Sequence, residues 1–181
     1  MLTPHIENTQ KDAEETTGKP ISASFVKVGD RDVHSVGFYD SMDEIKVFSE
    51  KVKGYIAEIM PLVESMDRAV GEIFLQSKEH YSKTAKAASI VTFKVKEGKM
   101  DEVMTSLKTR GPELLEEMKM VGSCTLIFTK TSDHEARTCA LYDTMEDLEN
   151  FSPTVKKYIG SIAENLDMSG FKRSIGEVFN N

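Results

Sequence analysis

The chain has no tryptophan and only two cysteines in 181 residues. Two thiols, Cys124 and Cys139, make neither a disulfide framework nor a zinc-ligand spacing. A reducing compartment fits them. The four histidines, His5, His34, His80 and His134, are scattered, and none forms a ligand-spaced pair with a carboxylate. A metal site is therefore not expected. Positive charge is also short: 23 Lys and Arg against 30 Asp and Glu leave a net charge of −7. Sequence-independent nucleic-acid binding depends on neutralising phosphates and is disfavoured by that balance. No long apolar run is present, so no segment is expected to span a bilayer. The opening MLTPHIENTQKDAEETTG has no apolar h-region of a signal peptide. P-loop, GxGxxG, Cys-x-x-Cys and nucleophile-elbow motifs are all missing. These absences point to a cytoplasmic protein with no cofactor, no nucleic-acid partner and no membrane partner.

Apolar residues make up 39% and aromatic residues 8%, enough for a packed core. The dominant feature is a repeat. Tyr39–Ile59 and Tyr142–Ile162 align at a shift of 103 with ten identities, among them Tyr39/Tyr142, Phe48/Phe151, Ser49/Ser152, Val52/Val155 and Tyr55/Tyr158. The match extends upstream through Phe25/Phe128 and Lys27/Lys130. After a slack of two residues it resumes at Gly71/Gly176, Glu72/Glu177 and Phe74/Phe179. This is a duplication. It divides the chain into a first unit over 1–75, a linker over 76–87 and a second unit over 88–181.

Met1–Lys19 is polar and predicts a weak helix. Ile21–Val28 and Val33–Tyr39 read as a hairpin around Gly29–Asp32. Ser41 and Thr144, each followed three residues later by Glu44 or Asp147, have capping-box spacing. Behind them Ile45, Phe48, Val52, Tyr55, Ile56 and Ile59 recur at steps of three and four, one stripe of a helix. Leu148, Phe151, Val155, Tyr158, Ile159 and Ile162 repeat it. Ser152-Pro153 predicts a kink near Ser49 and Ser152, with Ser152 as a cap. Ala69–Leu75 and Lys172–Asn180 are predicted closing strands. Between the copies, Ala88–Lys96 alternates as a strand. Gly98–Met120 is helical with Met100, Val103, Met104, Leu107, Leu114, Leu115 and Met118 inward, and Gly111-Pro112 is expected to break it.

The second half thus reads strand–helix–strand–strand–helix–strand, the ferredoxin-like order. The predicted class is α+β: two ferredoxin-like (βαββαβ) units packed sheet to sheet, each hiding the apolar sheet face of the other. The first unit has no counterpart to Ala88–Lys96, its central first strand. Either residues preceding Met1 supply it, or a neighbour completes the sheet.

Three stretches, Gly111-Pro112 with Gly122–Phe128, Ala140–Leu148 and Phe151–Tyr158, make the chain resemble the dimeric α+β barrel superfamily. Within it the likeness is to the antibiotic biosynthesis monooxygenase (ABM) group. The resemblance covers 90–179, and 21–74 without the first strand and helix. It implies a fused pseudo-dimer within one chain, open to further homo-oligomerisation. It also implies a small hydrophobic or aromatic partner molecule, and a monooxygenase that needs no cofactor because its deprotonated substrate activates oxygen itself. Two departures are plain. Many active relatives carry a Trp after the third strand and a His opening the second long helix; this chain has Met42 and Met145 near the first position and no His at the second. Those departures argue against haem turnover, and they open the alternative of a non-catalytic ligand-binding or assembly module.

His34, matched by Arg137 in the second copy, is a candidate base or orienting group, or else a sheet-surface histidine. Tyr39 and Tyr142 are candidate hydroxyl donors to a phenol or quinone, or else core residues with the hydroxyl at the rim. Phe25, Tyr55, Phe128 and Tyr158 are candidate substrate-binding residues on the same alternatives. Asp40 and Asp143 fit helix N-terminal stabilisation. Cys124 and Cys139 are expected to fill space on adjacent strands.

Overall fold

A computed structural model of the chain describes residues 11, 15, 22–77, 85–120 and 123–179. The predicted helix over Met1–Lys19 lies outside the described residues apart from Lys11 and Glu15, both helical. Most of the 76–87 linker lies outside them too. The elements are β1 (Ser22–Lys27), β2 (Val33–Phe38), α1 (Met42–Ile59), β3 (Glu72–Gln76), β4 (Ala87–Val95), α2 (Met100–Met120), β5 (Ser123–Ser132), β6 (Glu135–Tyr142), α3 (Met145–Gly160) and β7 (Leu166–Val178). The fold is α+β, with one hydrogen-bonded strand order β2-β1-β7-β4-β6-β5-β3. Within it β7-β4-β6-β5 is a complete ferredoxin-like sheet, whose first strand β4 is flanked by its last, β7, and its third, β6. The ends of the order, β2 and β3, are the strands that would flank the first strand lacking from the first copy.

Closing strands are exchanged between the copies. β3 of the first copy pairs antiparallel with β5 of the second (Glu72↔Lys130, Ile73↔Thr129), and β7 of the second pairs with β1 of the first (Val26↔Val178, Lys27↔Glu177). The repeated glycines sit at these crossings. A Cβ on Gly71 would lie 2.1 Å from the Lys130 carbonyl oxygen, and one on Gly176 would lie 2.1 Å from that of Lys27. No side chain fits there. The chain forms two compact units, one holding Ser35–Arg68 and the other Val26–His34 with Ala69–Phe179.

Capping follows the sequence. The Glu44 amide donates to Ser41 Oγ at 3.2 Å. The Asp147 amide donates to Thr144 Oγ1 at 3.0 Å, and the Thr144 amide donates back to Asp147 Oδ2 at 3.1 Å. The expected interruptions are corrected: α1 is continuous through Ser49, α3 through Ser152-Pro153 and α2 through Gly111-Pro112. Ser152 is not a cap; its Oγ donates to the Leu148 carbonyl four residues back, as Ser49 Oγ does to that of Ile45. In α2, Met100, Val103 and Leu107 before the pair and Leu114 and Met118 after it share one buried face. At about 1.5–3 kcal/mol for each large side chain buried, that face outweighs the roughly 3 kcal/mol cost of an interior proline. Gly111 is buried where a Cβ would meet Leu75 Cδ2 at 2.2 Å. The closing strands also shift: β3 begins at Glu72 rather than Ala69, and β7 begins at Leu166, ahead of the predicted Lys172.

In the second unit β4 is buried on both faces, Val91, Phe93 and Val95 on one and Ala88 and Ile90 on the other. α2 and α3 cover the first of these faces, contributing Leu107, Leu114, Leu148 and Phe151 to the core.

Candidate functional site

Between the sheet and α2 and α3 of the second unit lies a cavity of about 30 Å³. Its walls are largely apolar, with Val91, Leu126, Phe128 and Ile159 among them; Ser89, Thr138, Tyr142 and Tyr158 bring polar atoms. The period-two alternation of β4 and β6 selects these residues: Ser89 and Val91 on one strand, Thr138, Ala140 and Tyr142 on the other, all face the helices.

Tyr142 ends β6 and is 0% exposed. Its ring lies 6.4 Å from that of Phe151. Its hydroxyl is buried without a hydrogen-bond partner. Burial pushes the phenol well above its ordinary value, and Arg173 draws it partly back. It is therefore a donor, not a base, at any ordinary pH. Arg173 faces the same side of the sheet, level with Val91 across the β4–β7 ladder. Its Nε donates to Ser89 Oγ at 3.0 Å and its Nη2 to Ser152 Oγ at 2.8 Å. The guanidinium thus ties strand β4 to helix α3 at the edge of the cavity.

Tyr158 is 3% exposed, and its hydroxyl donates to Glu117 Oε1 at 3.4 Å. The Arg110 guanidinium lies 5.0 Å from the ring centroid. Burial, joined by Glu113 and Glu117, pushes this phenol up to about 12. Phe128 stands against Phe74 at 6.0 Å between ring centroids.

Of the candidates from the sequence, Tyr142, Phe128 and Tyr158 come together at this cavity. Arg137 does not. It alternates to the opposite sheet face, where its Nε donates to Glu135 Oε1 at 2.8 Å. Glu135 also accepts from Lys94 and Thr131. Burial raises the Glu135 carboxyl, but the bonds from Lys94, Arg137 and Thr131 outweigh it and hold the group at about 2. His34 is half-buried on β2 and does not line the cavity. Cys139 is buried and free, its thiol pushed up to about 12 by burial, which makes it inert. The Cys124 side chain lies outside the described residues. Among the described residues no group of three or more His, Cys, Asp and Glu is placed to hold a metal. No described helix is long and apolar enough to cross a membrane.

The first unit holds the other candidates. Phe25 and Tyr55 are half-buried on β1 and α1. Tyr39 stacks on Phe48 with ring centroids 5.5 Å apart. Burial pushes its phenol up to about 12, and Arg68 opposes that shift. Arg68 Nη2 donates to Ser49 Oγ at 2.6 Å. Sequence reasoning missed both arginines. The signal was there: in the register that resumes at Gly71/Gly176, Arg68 aligns with Arg173.

A ferredoxin-like α+β protein with a small, largely apolar cavity between its β7-β4-β6-β5 sheet and two helices is thus the class the geometry defines. No family model and no curated protein sequence matches the chain. Solved structures do match. A protein provisionally assigned as a monooxygenase, from Fusobacterium nucleatum, superposes with a TM-score of 0.70 at 14% identity, over 99% of this chain and 87% of its own. An anthrone oxidase-like protein superposes at 0.59 and 12% identity, over 97% of this chain and 84% of its own. A ferredoxin-fold protein from Listeria monocytogenes, related to antibiotic biosynthesis monooxygenases, gives 0.50 at 10% identity, over 71% of this chain and 90% of its own. The chain therefore has the fold of the ABM-like, dimeric α+β proteins that its sequence resembles.

Proposed function

We propose that the chain is an ABM-like small-molecule protein whose second unit takes a flat aromatic molecule bearing a ketone or phenol oxygen and oxygenates it without a cofactor. One observation carries the reading: the Tyr142 hydroxyl has no protein hydrogen-bond partner at a largely apolar cavity, where a ligand oxygen would complete its hydrogen bond. The anthrone oxidase-like neighbour suggests the substrate class. For an anthrone the methylene becomes a carbonyl, and dioxygen supplies one atom to that carbonyl and the other to water. At about 30 Å³ the cavity holds roughly one water molecule. Ring entry therefore requires helix-side residues such as Ile159 to repack. The 1–75 and 88–181 copies act in this proposal as a pseudo-dimer within one cytoplasmic chain.

A second reading, a ligand-binding module without catalysis, is favoured by the chemistry of the walls: Tyr142 and Tyr158 are both pushed up, so neither is a base near neutral pH. Anaerobic fluorescence titration with anthrone, followed by oxygen-electrode assay, separates the two. Binding that Tyr142→Phe weakens about tenfold, with oxygen uptake above the uncatalysed rate, is the expected result. Binding without uptake selects the second reading, and no binding overturns both.

A further inference from the structure

The duplication repeats a polar group as well as a fold. In the second unit Tyr142 stacks on Phe151, the next residue Ser152 accepts from Arg173, and Arg173 lies near enough to Tyr142 to act on its phenol. In the first unit Tyr39 stacks on Phe48, the next residue Ser49 accepts from Arg68, and Arg68 acts on Tyr39 in the same way. Four residue types recur in one arrangement on two separately described units. A salt-bridge role would pair these arginines with carboxylates, and among the described ion pairs neither has one. Each is instead oriented by serine hydroxyls: Arg173 by Ser89 and Ser152, Arg68 by Ser49. A guanidinium has five N–H donors in a planar fork. Two of those of Arg173 are spent on the serines, and both arginines are exposed. A planar oxyanion is the partner that fork fits, because both of its oxygens accept in parallel.

We propose that Arg173, set by Ser89 and Ser152 beside Tyr142, anchors the carboxylate of an aromatic acid, and that Arg68, set by Ser49 beside Tyr39, is a second, equivalent anchor in the first unit. The inference rests on the small-molecule reading of the second unit and extends it in two ways: the ligand carries a negative charge, and one chain takes two of them. Serine hydroxyls suit such a site. They hold the guanidinium in place without neutralising it, so its charge remains for the ligand. The Tyr142 and Tyr39 rings, stacked on Phe151 and Phe48, bring aromatic surface and a hydroxyl close to each anchor.

The test uses 2-naphthoate and its neutral analogue 2-naphthamide on the full-length ¹⁵N-labelled chain, followed through the arginine Nε–H resonances. Both the Arg68 and Arg173 signals are expected to shift and saturate with naphthoate. Naphthamide is expected to bind about tenfold or more weakly, the loss of a charge-assisted pair. Arg173→Gln should abolish the response at one site and leave Arg68 responsive, and Arg68→Gln should do the converse. Ser49→Ala and Ser152→Ala keep both charges, and each should weaken its own site alone. Equal binding of the acid and the amide, or naphthoate binding that the arginine variants leave unchanged, overturns the inference while the small-molecule reading stands. A response at Arg173 alone overturns the second anchor. Failure of both probes to bind overturns this inference, and the anthrone titration then decides the small-molecule reading by itself.

Discussion

Removing the Tyr142 hydroxyl should stabilise the ligand-free protein. The ring is fully buried against Phe151, and the hydroxyl makes no hydrogen bond. A buried donor with no protein partner costs about 1–3 kcal/mol, because its bonds to bulk water are lost on folding and no protein group replaces them. Tyr142→Phe keeps the ring and its packing and deletes only that cost. The expected gain is about 1 kcal/mol, a rise of about 2–4 °C in melting temperature for a chain of this size. Urea unfolding measures it directly, with the midpoint moving up and the slope unchanged. The same change should weaken the aromatic ligand, so stability and binding move in opposite directions, as they do when a functional group is held in an unfavourable setting. A loss of about 1 kcal/mol or more on Tyr142→Phe would refute the reasoning. It would show that the hydroxyl is bonded in the folded protein and is not held open for a ligand. Tyr158→Phe is the control. Its bond to Glu117 is long and lies at the rim, so that variant should change stability by about 0.5 kcal/mol or less.

Gly71→Ala and Gly176→Ala should each cost about 2 kcal/mol or more by urea unfolding, because the new Cβ meets a backbone carbonyl at 2.1 Å and the paired strand must move. Gly111→Ala should cost less: its Cβ meets the Leu75 side chain, Cδ2 at 2.2 Å and Cγ at 3.2 Å, rather than a backbone carbonyl, and about 1 kcal/mol of helix propensity partly offsets the displacement. The Glu135 carboxyl is held at about 2 in the fold, below its unfolded value, so its contribution is present above about pH 4.5 and is lost as pH falls towards 2. With solvent screening at the sheet surface that contribution is about 1–2 kcal/mol, and Glu135→Gln should flatten the pH dependence of stability across that window.

The repeat and the hydrophobic periods made the elements legible, and the capping spacings located the starts of α1 and α3 to the residue. The helix interruptions misled because Pro112 and Pro153 are local signals. The sequence shows the proline but not the buried face, with residues such as Leu107 and Leu114 on either side, that holds α2 continuous across it. The exchange of β3 and β7 was hidden for a related reason. Period-two alternation says which face a strand buries, not which neighbour it pairs with, and Gly71 and Gly176 announce a close approach without naming the other backbone.

The candidate site was half legible. Tyr142, Phe128 and Tyr158 were marked by repetition, and all three reach the cavity. Arg137 was chosen because it matches His34, yet alternation along β6 already puts it opposite Thr138 and Tyr142, off the cavity face. The arginines stood apart from the aligned stretches because they lie between the slack of two residues and the resumption at Gly71/Gly176. Past the two-residue slack Arg68 meets Arg173, and in the fold both reach back to the repeated serines. A charged residue preserved across an insertion has no core-packing reason to keep its place, as Phe48 and Phe151 do. Its partner is therefore to be sought in the polar residues of the same repeat, and the hydroxyls of Ser49 and Ser152 supply it.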